Sequence, residues 1–227
     1  LLRWHLTTGD GLIRGRGPQR LWSSAVRHGL GGQCTETATA LYALLSAVGI
    51  PTSVLVGAFA TEEGLPVVNP CSVVAHLVDR PPLLVDTALL SGRPLPLVDG
   101  ARHRIGAAEY RIRRRGETWE VRSASPGSRR PLGTRLLATA ADVAAFEAIL
   151  RGIQVGGLVR RANRRFFIRA QRGERTLLFS GSTLHRTGPE GVRRVRVARA
   201  ERPRLLRETF GLSQQAVVAL LPELDIA

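Results

Sequence analysis

Gly31-Gly32-Gln33-Cys34-Thr35-Glu36, running on to Leu41, Leu44, Leu45, Val48 and Gly49, sets a thiol where a glycine-rich turn becomes an amphipathic helix. The glycines permit a tight turn and leave room beside the sulfur. Leu41, Leu44, Leu45 and Val48 recur at i, i+3, i+4 and i+7, which predicts one buried stripe on a helix over about 35–48. Gly49 and Pro51 are its stop signals. A cysteine at a helix N-terminus feels the positive end of the macrodipole, which favours thiolate and nucleophilic chemistry. The plain alternative is a buried, unreactive cysteine.

Three ordered segments resemble the arylamine N-acetyltransferase family. The first is Gly31-Gly32-Gln33-Cys34-Thr35-Glu36 through Leu44-Leu45-Ser46-Ala47-Val48-Gly49-Ile50. The family reads Arg-Gly-Gly-x-Cys-Phe-Glu, then Leu-Leu-x-x-Leu-Gly-Phe. The second is Leu83-Leu84-Val85-Asp86 with Pro94-Leu95-Pro96-Leu97, similar to Trp-Leu-Val-Asp-Val-Gly-Phe-Gly and the strand after it. The third is Arg175–Gly181 with Leu205–Leu212, similar to the closing hairpin and last helix.

The resemblance implies an α+β, cysteine-proteinase-like fold in three parts. Residues 1–50 would be a helical subdomain carrying the cysteine, 51–135 an antiparallel β-barrel, and 136–227 a C-terminal α/β lid. It also implies ping-pong acyl transfer. The thiolate of Cys34 attacks an acyl-coenzyme A thioester, acetyl-CoA or another acyl-CoA, and the acyl-cysteine is passed to a small-molecule amine. Acyl-CoA is then a co-substrate, with no tightly bound cofactor. The chemistry needs a cysteine, an imidazole to carry its proton and a carboxylate to orient the imidazole. Cys34 matches the nucleophile and Asp86 the carboxylate.

The base position departs from the family. A gap-free alignment on Asp86 puts Cys71 where the family has histidine. His76, the nearest imidazole, falls five positions later, on the opposite face of a strand expected over Ser72–Val78. His76 is the alternative base if a bulge or shortened turn resets the register. Leu30, Thr35, Ala38 and Ala88-Leu89-Leu90 also replace family site residues. With Cys71 at the base position, a thiol is a poor proton acceptor because it holds its proton until about pH 8.5. A Cys34–Cys71 disulfide becomes geometrically conceivable. Two further readings follow: a non-catalytic or repurposed relative that binds an acyl carrier or a protein, and a transglutaminase-like amidase or peptidase. The latter draws on Gly49-Ile50-Pro51 and the longer Cys34-to-His76 interval.

The chain of 227 residues, 44% hydrophobic, can bury a core without disulfide staples. Two cysteines make no secreted disulfide framework, and no CxxC or HxxxH spacing suggests zinc. There is no run of about 18 apolar residues and no signal pattern, so the expectations are no membrane and a cytoplasmic location. The sequence starts at Leu1, contains no Met and carries about half the helical sequence the resemblance implies before the cysteine, so a shortened helical part is expected.

Every basic residue is arginine, 33 in all, for a net charge of +15. Residues 1–100 hold seven arginines and seven acids, so the excess falls on 101–227. Aromatics are 5% and no nucleic-acid motif is present, so nucleic acid is not an expected partner and the charge reads as solvated surface or attraction for a phosphate-bearing carrier.

Helices are also expected around Leu21–Arg27, over Ala140–Arg151 behind a Thr139 N-cap, and over about 202–209 and 213–221. Strands are expected over Thr52–Phe59, Leu83–Leu90, Glu109–Arg115, Thr118–Arg122, Phe166–Ala170, Thr176–Ser180 and Val192–Val197. His5, His28, His103 and His185 are isolated and read as surface or satisfied positions. Trp4, Trp22 and Trp119 read as core anchors.

Overall fold

The computed structural model describes residues 17–32, 34–60, 66–86, 92–105, 108–124, 132–140 and 167–224. The chain is α+β. Helix α1 (Pro18–His28) and helix α2 (Cys34–Ala47) precede an eight-stranded antiparallel sheet. Its strands are β1 (Thr52–Ala60), β2 (Pro66–Ala75), β3 (Leu83–Val85), β4 (Leu95–Pro96), β5 (Arg102–Ile105), β6 (Ala108–Arg115), β7 (Thr118–Ala124) and β8 (Leu132–Ala140). A four-stranded antiparallel sheet follows: β9 (Phe167–Arg172), β10 (Arg175–Ser180), β11 (Thr183–Gly188) and β12 (Gly191–Arg196). Helices α3 (Arg202–Glu208) and α4 (Gln214–Leu224) end the described chain.

The expected barrel is instead an open sheet, ordered β4-β3-β2-β1-β8-β7-β6-β5 among the described residues. It is strongly curled, because Leu84, Leu95, Leu55, Val74, Ile112 and Val121 share one core although their strands span the sheet. Its edges β4 and β5 do not pair with each other. β4 is two residues long, and Pro94 and Pro96 lack the N–H that a ladder needs. The connection between the edges fills the gap: the Leu97 N–H donates to Pro82 (2.8 Å) and the Ala101 carbonyl accepts from Ile112 (2.9 Å).

β8 pairs with both β1 and β7, so the sheet runs to Ala140. Thr139 and Ala140 lie in that strand, so Ala140 does not begin a helix behind Thr139; pairing on both sides decides the conformation that local residue type left open. The rest of the helix expected over Ala140–Arg151 lies outside the described residues, as does the loop at Ser125–Ser128. Strands β5 and β11 carried no strong local signal and form by pairing with β6 and β10.

Pro18 at the start of α1 sits where its missing N–H costs nothing. Gly29, at φ +66°, ends the helix, and Leu30 turns back into the core, its N–H donating to Ser24 (3.3 Å). That core belongs to the C-terminal part: Leu30 packs with Phe179, Leu184, Leu206, Phe210 and Val217. Gly29 lies against the backbone of Gly211, and His28 Nδ1 bonds the Ser213 hydroxyl at 3.2 Å. The first helix is therefore fixed to the last ones.

Helix α2 lies on the outer face of β1 and β2 through Ala38, Leu41 and Leu45 on Val54 and Val73. Of the expected stripe, Leu44 and Val48 are exposed (44% and 63%). The buried positions are shifted onto Ala38 and Ala40, small residues that let the helix approach the sheet and α1 closely. Trp22 donates its indole N–H to the Ala40 carbonyl (3.3 Å) and is 40% exposed, a bridge between helices, not a core anchor. Trp119 packs on the sheet core; Trp4 and His5 lie outside the described residues.

Candidate active site

Cys34 opens helix α2. The direction of that helix follows from its other end, where Ser46 Oγ bonds Thr52 Oγ1 at 3.1 Å and the Pro51 carbonyl accepts from the His76 N–H at 2.8 Å. Ala38 packs on Val73, so the Cys34 end points away from His76, toward the part of β2 that precedes Val73. The Cys34 and Cys71 side chains lie outside the described residues. The double glycine has a different neighbour from the one expected: a Cβ on Gly32 would come within 2.9 Å of Glu36 Oε2 and of Leu21 Cδ1. Gly32 thus lets the turn close on buried Glu36 in the first turn of α2.

Asp86 directly follows β3. Val73 pairs with Val85, so continuing the register sets Ser72 across from Asp86. The Ser72 hydroxyl donates to Asp86 Oδ2, and both residues are buried, at 3% and 9% exposed. Cys71 is the extra residue in a β-bulge, since β1 pairs Leu55 with Ser72 and then Val56 with Pro70. The register irregularity therefore sits at Cys71 itself and does not carry His76 toward Asp86. His76 follows β2 at its far end, exposed, its Nε2 bonded to Ser53 Oγ at 2.9 Å. Four residues of strand, about 13 Å, separate it from Ser72. The structure brings Ser72 and Asp86 together and leaves His76 outside; the long Cys34-to-His76 interval loses its structural basis with it.

Two groups that the sequence did not flag face Asp86. Tyr110, buried on the inner face of β6, has its phenol pKa raised, first by burial and then by the Asp86 charge, against a lowering by Arg169. Arg169 on β9 is exposed over a good part of its surface, but local desolvation of its guanidinium lowers its pKa, opposed by Tyr110 and Asp86. Asp86, Arg169 and Tyr110 thus lie close enough to influence one another electrostatically, beside the Ser72 hydroxyl that Asp86 accepts from. Ile168 and Ala170 pack on the C-terminal core, so alternation turns Arg169 to the other face. No local motif could have singled Arg169 out among 33 arginines.

His103 departs from the expectation of a surface or satisfied residue. It stands across from Tyr110 on β5, and its Nε2 is buried with no hydrogen-bond partner among the described residues. His185 pairs across from Leu178 on β11, in the cross-strand row that includes Arg169. Among the described residues, no three His, Cys, Asp or Glu side chains form a metal-binding group, and no helix is long and apolar enough to cross a membrane.

Two leading helices, an open antiparallel sheet and a smaller C-terminal sheet followed by helices give this chain the fold of the arylamine N-acetyltransferases. Three solved structures are similar over nearly the whole chain. The Mycobacterium marinum arylamine N-acetyltransferase in complex with CoA is 15% identical with a TM-score of 0.81, covering 95% of this chain and 83% of that one. The enzyme from M. tuberculosis is 17% identical at 0.80, covering 95% and 84%. That from Mycobacterium abscessus is 20% identical at 0.74, covering 91% and 77%. No protein-family model and no curated protein sequence matches the chain.

Proposed function

We propose that this protein is an acyltransferase of the arylamine N-acetyltransferase type, with Cys34 as nucleophile and acyl-CoA as donor. One observation carries the reading: within this fold, a cysteine begins the helix whose N-terminal end is directed toward the strand ends that hold buried Asp86. The macrodipole favours thiolate at Cys34. The thiolate attacks the thioester carbonyl, coenzyme A leaves as its thiol, and the acyl group passes to an amine that gives up a proton. The CoA bound by the M. marinum enzyme supports the donor class. Of the two bases the sequence offered, Cys71 lies in the bulge next to Ser72, whereas His76 stands exposed at the far end of β2, so Cys71 is the candidate kept.

A second reading draws on the Ser72 hydroxyl, which takes up Asp86 where acyl transfer calls for an imidazole. With no imidazole beside the carboxylate among the described residues, the same cleft would bind an acyl carrier with little turnover. Intact mass after incubation with acetyl-CoA and with p-nitrophenyl acetate separates the two. An acetyl increment that disappears in Cys34→Ser supports transfer. Saturable acetyl-CoA binding with unchanged mass supports the carrier reading. Cys71→His tests the base position: restored imidazole should speed acylation by about 10²-fold or more.

A further inference from the structure

The four-stranded sheet meets the Asp86 region at three places. Arg169 faces Asp86 and Tyr110 electrostatically. Gln171, two residues on and so on the same face of β9, lies against Gly92: a Cβ there would come within 3.0 Å of its Nε2 and 3.1 Å of its Cγ. Glu174, in the turn to β10, pairs with Arg93 at 3.6 Å. Gln171 is itself fixed, donating from Nε2 to the Gly173 carbonyl (2.6 Å) and accepting from Thr176 Oγ1 (2.7 Å). The exposed Arg93–Glu174 pair contributes little energy. The steric fit at Gly92, which sits at φ +72°, is the substantial contact, and it brings the face of β9 that carries Arg169 to the Asp86 side of the connection, where the two charges act on each other.

We propose that Arg169 is a positioning residue for Asp86: the face of β9 grips both ends of the connection from Asp86 to Gly92 and Arg93 and holds the carboxylate turned onto Ser72. The hydroxyl of Ser72 takes one carboxylate oxygen, and the guanidinium draws the group toward the interface between the sheets. The carboxylate is thus ordered by a strand about 80 residues downstream in sequence, and the C-terminal sheet completes the site instead of merely covering it. This deepens the acyltransferase reading, in which Asp86 is the orienting carboxylate, and its test needs no turnover.

The phenol of Tyr110 reports on both charges, and Tyr42 is the only other tyrosine. Phenolate absorbance against pH is measured for the full chain and for Arg169→Met, Arg169→Lys, Asp86→Asn and the Met/Asn double variant. Arg169→Met should move the Tyr110 transition to higher pH, Asp86→Asn should move it to lower pH, and Arg169→Lys should stay near the wild type. Gly92→Ala, which pushes Gln171 away, should move it in the direction of Arg169→Met. In urea unfolding, Arg169→Met should lower the folding constant on the order of tenfold in the wild-type background and hardly at all beside Asp86→Asn. Equal costs in both backgrounds, or Tyr110 shifts of one sign in both single variants, would overturn the proposal. If Arg169→Met fails to fold, the Lys and Asn variants still give the sign test. Loss of acylation with these signs intact would count against the function and not against the positioning.

Discussion

Ser72 donates its hydroxyl to the carboxylate of Asp86, and both groups are withdrawn from water. A buried hydrogen bond to a charged acceptor is worth about 1.5–3 kcal/mol, and its loss leaves the acceptor short of a donor. Ser72→Ala should therefore destabilise the protein by roughly 2 kcal/mol in urea unfolding. Ser72→Thr, which keeps a hydroxyl, should lose less. Equal stability of Ala and Thr variants would show that the hydroxyl contributes nothing.

Gly29 is held against the last helices. A Cβ there would collide with the Gly211 carbonyl oxygen, a backbone atom that cannot swing away, and the residue's φ of +66° disfavours any side chain. Gly29→Ala should cost about 3 kcal/mol or more. The loss should be accompanied by exposure of Leu30 and the C-terminal core, read as faster amide exchange in α3 and α4. Unaltered exchange there would argue against the docking of α1 on the C-terminal helices.

Tyr110 sets an alkaline limit. Burial raises its phenol pKa in the folded state above the ordinary tyrosine value, so the folded protein retains a proton that the unfolded chain releases. Stability is then unaffected below about pH 10 and falls as pH rises beyond it. Tyr110→Phe removes this source of alkaline destabilisation. Its urea midpoint should decline less than that of the wild type between pH 9 and 10.5. Parallel decline in both proteins would assign the alkaline loss to other groups.

His103 carries a buried ring nitrogen with no hydrogen-bond partner among the described residues. Replacing an unsatisfied polar group by an apolar one of similar volume is near neutral or stabilising. His103→Leu should leave the thermal midpoint unchanged or raise it by a few degrees, whereas a satisfied histidine would give a clear drop.

Much of the architecture is legible in local pattern. Gly49 and Pro51 end α2, Pro18 opens α1, and the runs at Thr52, Glu109, Thr118 and Thr176 form strands close to the expected limits. β8 is not legible, because it is a strand by virtue of β1 and β7 on either side. Leu44 and Val48 mislead because helical periodicity states that a face is apolar, not that a neighbour covers it. In the candidate site, Cys34 and Asp86 stand out by motif, while Ser72, Tyr110 and Arg169 do not. Their relevance is a matter of distance in space, and nothing in their own neighbourhoods records it.

The residues along the chain determined by themselves that a cysteine begins a helix, that a carboxylate follows a short strand and that a gap-free alignment sets Cys71 at the position expected to accept the proton, with His76 as the alternative. Those are properties of order and residue type. Only the folded molecule decided what stands beside the carboxylate. The bulge falls at Cys71, Ser72 lies across from Asp86, and His76 is carried to the far end of β2. Strand register and sheet curling determine these distances, and both are set by pairing between segments remote in sequence.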